Sequence, residues 1–200
     1  MKTTSELEFE KFLSENALTF HRIVEQSTPR PDYLVQIGDL KVLFEVKEIS
    51  EDENFTTEPL KVYRRTLGDH IRAKIGEARR QVQYGAKQGI PSVLLIYNNL
   101  DPIHLFGTED QDFISAMYGA YTVVLDRESM KAVDHFHGRN KSLGEAKNTS
   151  FSAVGRLYPV HGKLEVTLFE NAFAKVKLPF DVLPSCFDVK RVSITYSQSV

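Results

Sequence analysis

Cysteine is almost absent from these 200 residues, Cys186 being the only one. A single thiol excludes an intramolecular disulfide framework and any cysteine-rich zinc site, and it suits a reducing, cytoplasmic setting. Long apolar runs are missing too. Nothing approaches the ~18 consecutive apolar residues of a spanning helix, so no membrane insertion is expected. The opening eleven residues, MKTTSELEFEK, are too acidic for a secretory signal. Glycine-rich phosphate loops and the Gly-x-Ser-x-Gly elbow are both lacking, which removes two familiar catalytic signatures. No internal repeat or low-complexity tract occurs.

What is present is ordinary globular composition, 42% hydrophobic and 26% charged, which excludes a wholly disordered chain. This length predicts one domain, burying roughly 70% of the surface that the unfolded chain exposes. The formal net charge of −2 hides an asymmetry. Between Lys61 and Ile90 lie eight basic residues (Lys61, Arg64, Arg65, Arg72, Lys74, Arg79, Arg80 and Lys87) against Asp69 and Glu77, a net +6 that leaves −8 on the rest. A positive segment on an acidic chain can hold a polyanion, or it can be a solvated helix face.

Periodicity predicts a first helix over SELEFEKFLSENAL, with Phe9, Phe12, Leu13 and Ala17 inward and Thr4 or Ser5 as cap. A short strand over Leu18–Val24 follows, then a hairpin of Asp32–Ile37 and Leu40–Lys47. Gly38-Asp39 joins its strands, as suits a type II′ turn. Residues 48–60 read as an acidic loop, Leu67–Lys87 as a long helix with Ile71, Ile75, Ala78 and Val82 buried, and Ser92–Tyr97 as a doubly covered strand. Further along, Asp110–Tyr118 is expected as a helix and Ala120–Leu125 as a strand. Gly138–Ser150 reads as a flexible loop, and strands return at Ser152–Tyr158, Lys163–Phe169 and Lys190–Tyr196. The order is that of a single α/β domain.

The hairpin register carries chemistry. With Gly38 and Asp39 in the loop, Ile37 faces Leu40 and Asp32 faces Glu45. Tyr33, Val35, Ile37, Leu40, Val42, Phe44 and Val46 share one apolar face, while Asp32, Glu45 and Lys47 share the other. An amphipathic hairpin with its polar face in water fits that alternation. It does not predict two carboxylates directly opposite, with Cβ atoms ~5 Å apart, a destabilising pair. A hard divalent cation between them, Mg²⁺ or Mn²⁺, turns repulsion into a binding site.

Pro31-Asp32, thirteen positions, then Glu45-Val46-Lys47 resembles the motif of the PD-(D/E)XK nuclease superfamily, which includes many restriction endonucleases and Holliday-junction resolvases. The resemblance covers about residues 4–97 and implies a restriction-endonuclease-like core. That core is a mixed β-sheet flanked by helices in the order α-β-β-β-α-β; here the core would span about residues 4–126, with a β-rich extension over about 127–200. It implies a Mg²⁺- or Mn²⁺-dependent endonuclease acting on DNA, branched or structured DNA included, and leaving 5′-phosphate ends. Asp32 and Glu45 would hold the metal, with the Val46 carbonyl and Glu6 of the first helix as further ligands and Glu10 as a rival to Glu6. Lys47 would orient the attacking water. Gln81 of the second helix would face the site, and Lys61, Arg64, Arg65, Arg72, Lys74, Arg79 and Arg80 would contact phosphates. Many members act as dimers, which leaves a homodimer open. One departure from the compact form of the family is the long connection from Glu48 to Asp69.

Two other classes stand beside this one: the same fold holding nucleic acid or a partner protein without catalysis, and an assembly protein offering its C-terminal strand edge. His135-Phe136-His137 places two imidazoles on one side of a strand but lacks a third ligand. Cys186 reads as a buried structural thiol.

Overall fold

Thr3 opens the first helix. Its hydroxyl accepts from Glu6 N–H while the Glu6 carboxylate accepts from Thr3 N–H at 2.8 Å, a capping box that starts α1, Thr4–Glu15. The cap therefore sits one residue before the expected Thr4 or Ser5. The computed structural model describes residues 2–24, 28–51, 66–100 and 106–194. After α1 come β1 (Thr19–Arg22), β2 (Tyr33–Ile37), β3 (Leu40–Ile49), α2 (Asp69–Lys87), β4 (Ser92–Asn98) and α3 (Asp110–Tyr118). Then follow β5 (Tyr121–Leu125), β6 (Ala132–His137), β7 (Ala153–Val160), β8 (Lys163–Glu170), a 3-10 turn at Phe180–Val182 and β9 (Phe187–Lys190). The expected phosphate contacts Lys61, Arg64 and Arg65, most of the acidic loop (52–60) and the end of the last expected strand (195–196) lie outside the described residues.

Seven strands form one mixed sheet in the order β1-β2-β3-β4-β7-β8-β9, so the class is α/β. β3, β4 and β7 run parallel at its centre, and the other pairs are antiparallel except β8 with β9. The C-terminal strands are thus not an appendage. They complete the sheet on the far side of β4. The hairpin register is the expected one, from Ile37 opposite Leu40 to Tyr33 opposite Phe44. Gly38 takes a positive φ of 57° and Asp39 does not, as a type II′ turn requires.

Each face of the sheet carries its own core. On one face, Phe9, Phe12 and Leu13 of α1 pack on Tyr33, Val35, Val42, Phe44 and Leu95. Phe9 sits edge-on to Tyr33 at 5.4 Å, an arrangement worth about 0.5–1.5 kcal/mol beyond area burial. On the other face, Ile71, Ile75, Ala78 and Val82 of α2 join Phe113 and Met117 of α3 over Leu94, Ile96 and Val154. Gly85 lets α2 approach closely, since a Cβ there would come within 2.1 Å of Ser92 Oγ and 2.6 Å of Leu43 Cδ1.

Three expectations are corrected. The Gly138–Ser150 segment is not loose: Leu143 is fully buried, and the Ser142 and Leu143 amides donate to the carbonyls of Ala116 and Met117 in α3. β9 runs Phe187–Lys190 and shares only Lys190 with the expected strand, residues 191–194 not being strand, and Phe187 lies in the core. Glu48 and Ile49 continue β3 rather than starting a loop, and the Ile49 side chain is buried. β5 and β6 pair only with each other, outside the main sheet. Among the described residues, no helix is long and apolar enough to cross a membrane.

Candidate functional site

The polar face of the β2–β3 hairpin does not face open water, because α2 lies over it. Strand alternation puts Leu43, Glu45 and Lys47 on the α2 side, and Leu43 and Glu45 are buried there. Asp32, immediately before β2, continues the register and stands opposite Glu45. A backbone bond fixes it: Val46 N–H donates to Asp32 Oδ2 at 2.8 Å. Asp32, Glu45, Lys47 and Gln81 together line a cleft of about 270 Å³, which the Thr28–Pro31 segment also lines.

The Glu45 side chain is 1% exposed. Its Oε1 is paired with Lys47 Nζ at 2.8 Å, while its Oε2 is buried with no hydrogen-bond partner among the described residues. Gln81 Oε1 is in the same condition. Burial and the Asp32 charge push the Glu45 carboxyl up to about 8, against the pull of Lys47. Burial also raises Asp32, only partly opposed by the Val46 amide and Lys47. Burial alone would lower the Lys47 ammonium, but Glu45 and Asp32 outweigh it and raise it.

Glu6 is not brought among these groups. α1 packs on the opposite face of the sheet, and the Glu6 carboxylate is spent on the Thr3 cap and on Arg22 at 2.6 Å. Burial would raise its carboxyl, but Thr3 and Arg22 hold it below the usual range. Its charge nevertheless reaches Asp32 and contributes to raising that group. The rival Glu10 accepts from the Tyr33 hydroxyl and pairs with Lys2. At Val46, the amide holds Asp32 in place.

Arg30 was not anticipated. It lines the cleft, its guanidinium lies 5.1 Å from the centre of the Tyr84 ring, and its Nε is buried without a partner among the described residues. The available signal was its place beside Pro31-Asp32; the segment that carries it has no periodic pattern. Two expected phosphate contacts are already engaged. Arg72 binds Asp69 at 2.7 Å and the Ser115 carbonyl, and Lys74 binds Glu77 at 3.1 Å. Arg79 and Arg80 are exposed on α2 and form no ion pair with described residues. His135 and His137 flank the Tyr121 ring at 5.9 and 5.6 Å.

Among the described residues, no group of three or more His, Cys, Asp or Glu converges to hold a metal. Two adjacent carboxylates with one orphaned buried oxygen still suit Mg²⁺, which keeps several waters and needs only one or two carboxylates. Searched against protein-family models, curated proteins and solved structures, the chain matches none.

Proposed function

We propose that this protein has a restriction-endonuclease-like core and is a Mg²⁺- or Mn²⁺-dependent endonuclease that hydrolyses phosphodiester bonds of DNA. The observation that carries this reading is the meeting of Asp32, Glu45 and Lys47 in a cleft open to solvent, with an unpartnered Glu45 oxygen facing a second carboxylate. Asp32 and Glu45 would hold the cation, which supplies neutralisation of phosphate oxygens and a more acidic bound water. Lys47 orients the attacking water and stabilises negative charge as it forms, the kind of electrostatic contribution that usually dominates such catalysis. The Gln81 carbonyl oxygen, lacking an internal donor, accepts a hydrogen bond from that water. Arg30 holds the phosphate at the rim. As water adds to phosphorus, the bond to the 3′ oxygen breaks, and the proton that the water gives up passes through solvent to the leaving alkoxide.

Mg²⁺-dependent nicking of supercoiled plasmid and of branched DNA is the test. Asp32→Ala, Glu45→Ala and Lys47→Ala are each expected to lower the rate by about 10²-fold or more. Undiminished nicking by the Lys47 variant would remove the basis of the assignment.

One observation favours a second reading, a catalytically silent module that binds nucleic acid or a partner protein. The Lys47 ammonium lies on Glu45 at 2.8 Å and already neutralises the carboxylate that a cation would use. Mn²⁺ titration followed by electron paramagnetic resonance separates the two. Binding that Glu45→Gln abolishes supports the enzyme, and no binding supports the silent module.

A further inference from the structure

A second cleft lies on the other flank of α2. Arg79, Gln83, Ala86 and Lys87 of the helix form one wall of it, and Asn148, Thr149, Ser150 and Lys175 form the other, enclosing about 500 Å³. Residues along a helix advance 100° each, so Arg79 and Gln81 point about 200° apart. The two clefts therefore share the helix but not a face. We propose that this second cleft binds a phosphate group, carried either by a nucleic-acid backbone or by a free nucleotide.

Charge is the first reason. Arg79, Lys87 and Lys175 converge on the cleft, and no carboxylate lines it among the described residues. Some cations of this acidic chain have acids at hand, as Arg22 with Glu6, Arg72 with Asp69, Lys74 with Glu77 and Arg191 with Asp181. Others, Arg80, Lys131 and Lys163 among them, stand singly on the surface; what sets this cleft apart is three cations around one concavity. Arg79, Lys87 and Lys175 form no ion pair with described residues. Three like charges around one concavity repel one another, and an anion between them reverses the sign of that energy.

The second reason is the opposite wall, which is both fixed and rich in donors. The Lys175 amide donates to the Thr149 carbonyl at 2.8 Å, and Asn148 Nδ2 donates to the Ser142 carbonyl at 2.9 Å, so the segment is held in place. The Thr149 and Ser150 hydroxyls and the Gln83 amide then add uncharged donors beside the cations. Asn148, held by its bond to the Ser142 carbonyl, also lines the cleft.

The inference stands apart from hydrolysis at Asp32 and Glu45, and it is tested in EDTA, where no cleavage occurs. The probes are a short single-stranded oligodeoxynucleotide, followed by fluorescence anisotropy, and dAMP, followed by calorimetry. Lys87→Ala/Lys175→Ala removes two exposed cations and is compared with Lys131→Ala/Lys163→Ala, which removes two exposed lysines outside the cleft. A tenfold or greater loss of oligonucleotide affinity, confined to the cleft variant, supports a backbone phosphate. The slope of log affinity against log salt should then be shallower by about 1.4, at about 0.7 per phosphate contact on single strands. Loss of dAMP binding alone supports a free nucleotide. No loss with either probe, or equal losses in the two double variants, overturns the proposal. A failure of the nuclease reading would show in Mg²⁺-dependent nicking, whereas the comparison of the two double variants in EDTA stands on its own.

Discussion

Glu45 is held in a position that its charge opposes. Its carboxyl lies beside Asp32, away from water, and is pushed up to about 8 as a result. The folded chain therefore keeps a proton there that the unfolded chain releases at ordinary carboxylate pH. Between roughly pH 4.5 and pH 8 the native state binds more protons, so stability falls as pH rises, by at most about 1.4 kcal/mol per pH unit for one group. In EDTA, the melting temperature should decline across that window, and Glu45→Gln should flatten the decline. An unchanged slope in that variant would mean that the burial does not act on the carboxyl as described. Adding Mg²⁺ should restore most stability at the alkaline end, where the proton has left. The opposing pair was legible from the sequence because strict alternation and Gly38-Asp39 left one register. Glu6 does not line the cleft for a physical reason: helical periodicity tells which side of α1 is buried, but not which face of the sheet receives it.

At the level of elements, the position of α2 decides whether Gln81 reaches the carboxylates. Gly85 sets that height, one turn further along. Gly85→Ala should cost about 1–3 kcal/mol through overpacking against Leu43 and Ser92. It should also lower nicking more than it lowers oligonucleotide binding, because small displacements at a reacting centre are expensive. Gly76→Ala, on the same helix but facing open space, should instead stabilise by about 0.5–1 kcal/mol. Denaturant melts of the two variants check the contrast, and equal effects would contradict it. The main helices were readable because their buried stripes recur at helical spacing. The 138–150 segment was not, since Gly, Asn, Ser and Lys dominate its composition while one residue, Leu143, anchors it. β9 escaped for a similar reason, being a short edge strand whose burial comes mainly through Phe187.

Across the whole molecule, the sheet divides the protein into two cores and places the carboxylates on the α2 side. β4 is buried along its entire length and hydrogen-bonds to β3 on one side and β7 on the other. A chain ending at residue 126 would keep the expected helix–hairpin–helix order yet expose one full edge and the apolar faces that β7 and β8 cover. Such a fragment should aggregate or stay unfolded, as judged by circular dichroism and light scattering. A soluble, cooperatively melting fragment would show that the C-terminal strands are dispensable. No local pattern announces this continuity, because pairing between β4 and β7 skips more than fifty residues.

That same skipped pairing bears on how the protein is made. On the ribosome, β4 emerges well before its second neighbour, and its apolar edge must wait for translation of some fifty further residues. At about 5–20 residues per second the wait is several seconds, long enough for a chaperone to engage the nascent chain. Slowing translation between β4 and β7 should therefore lower soluble yield.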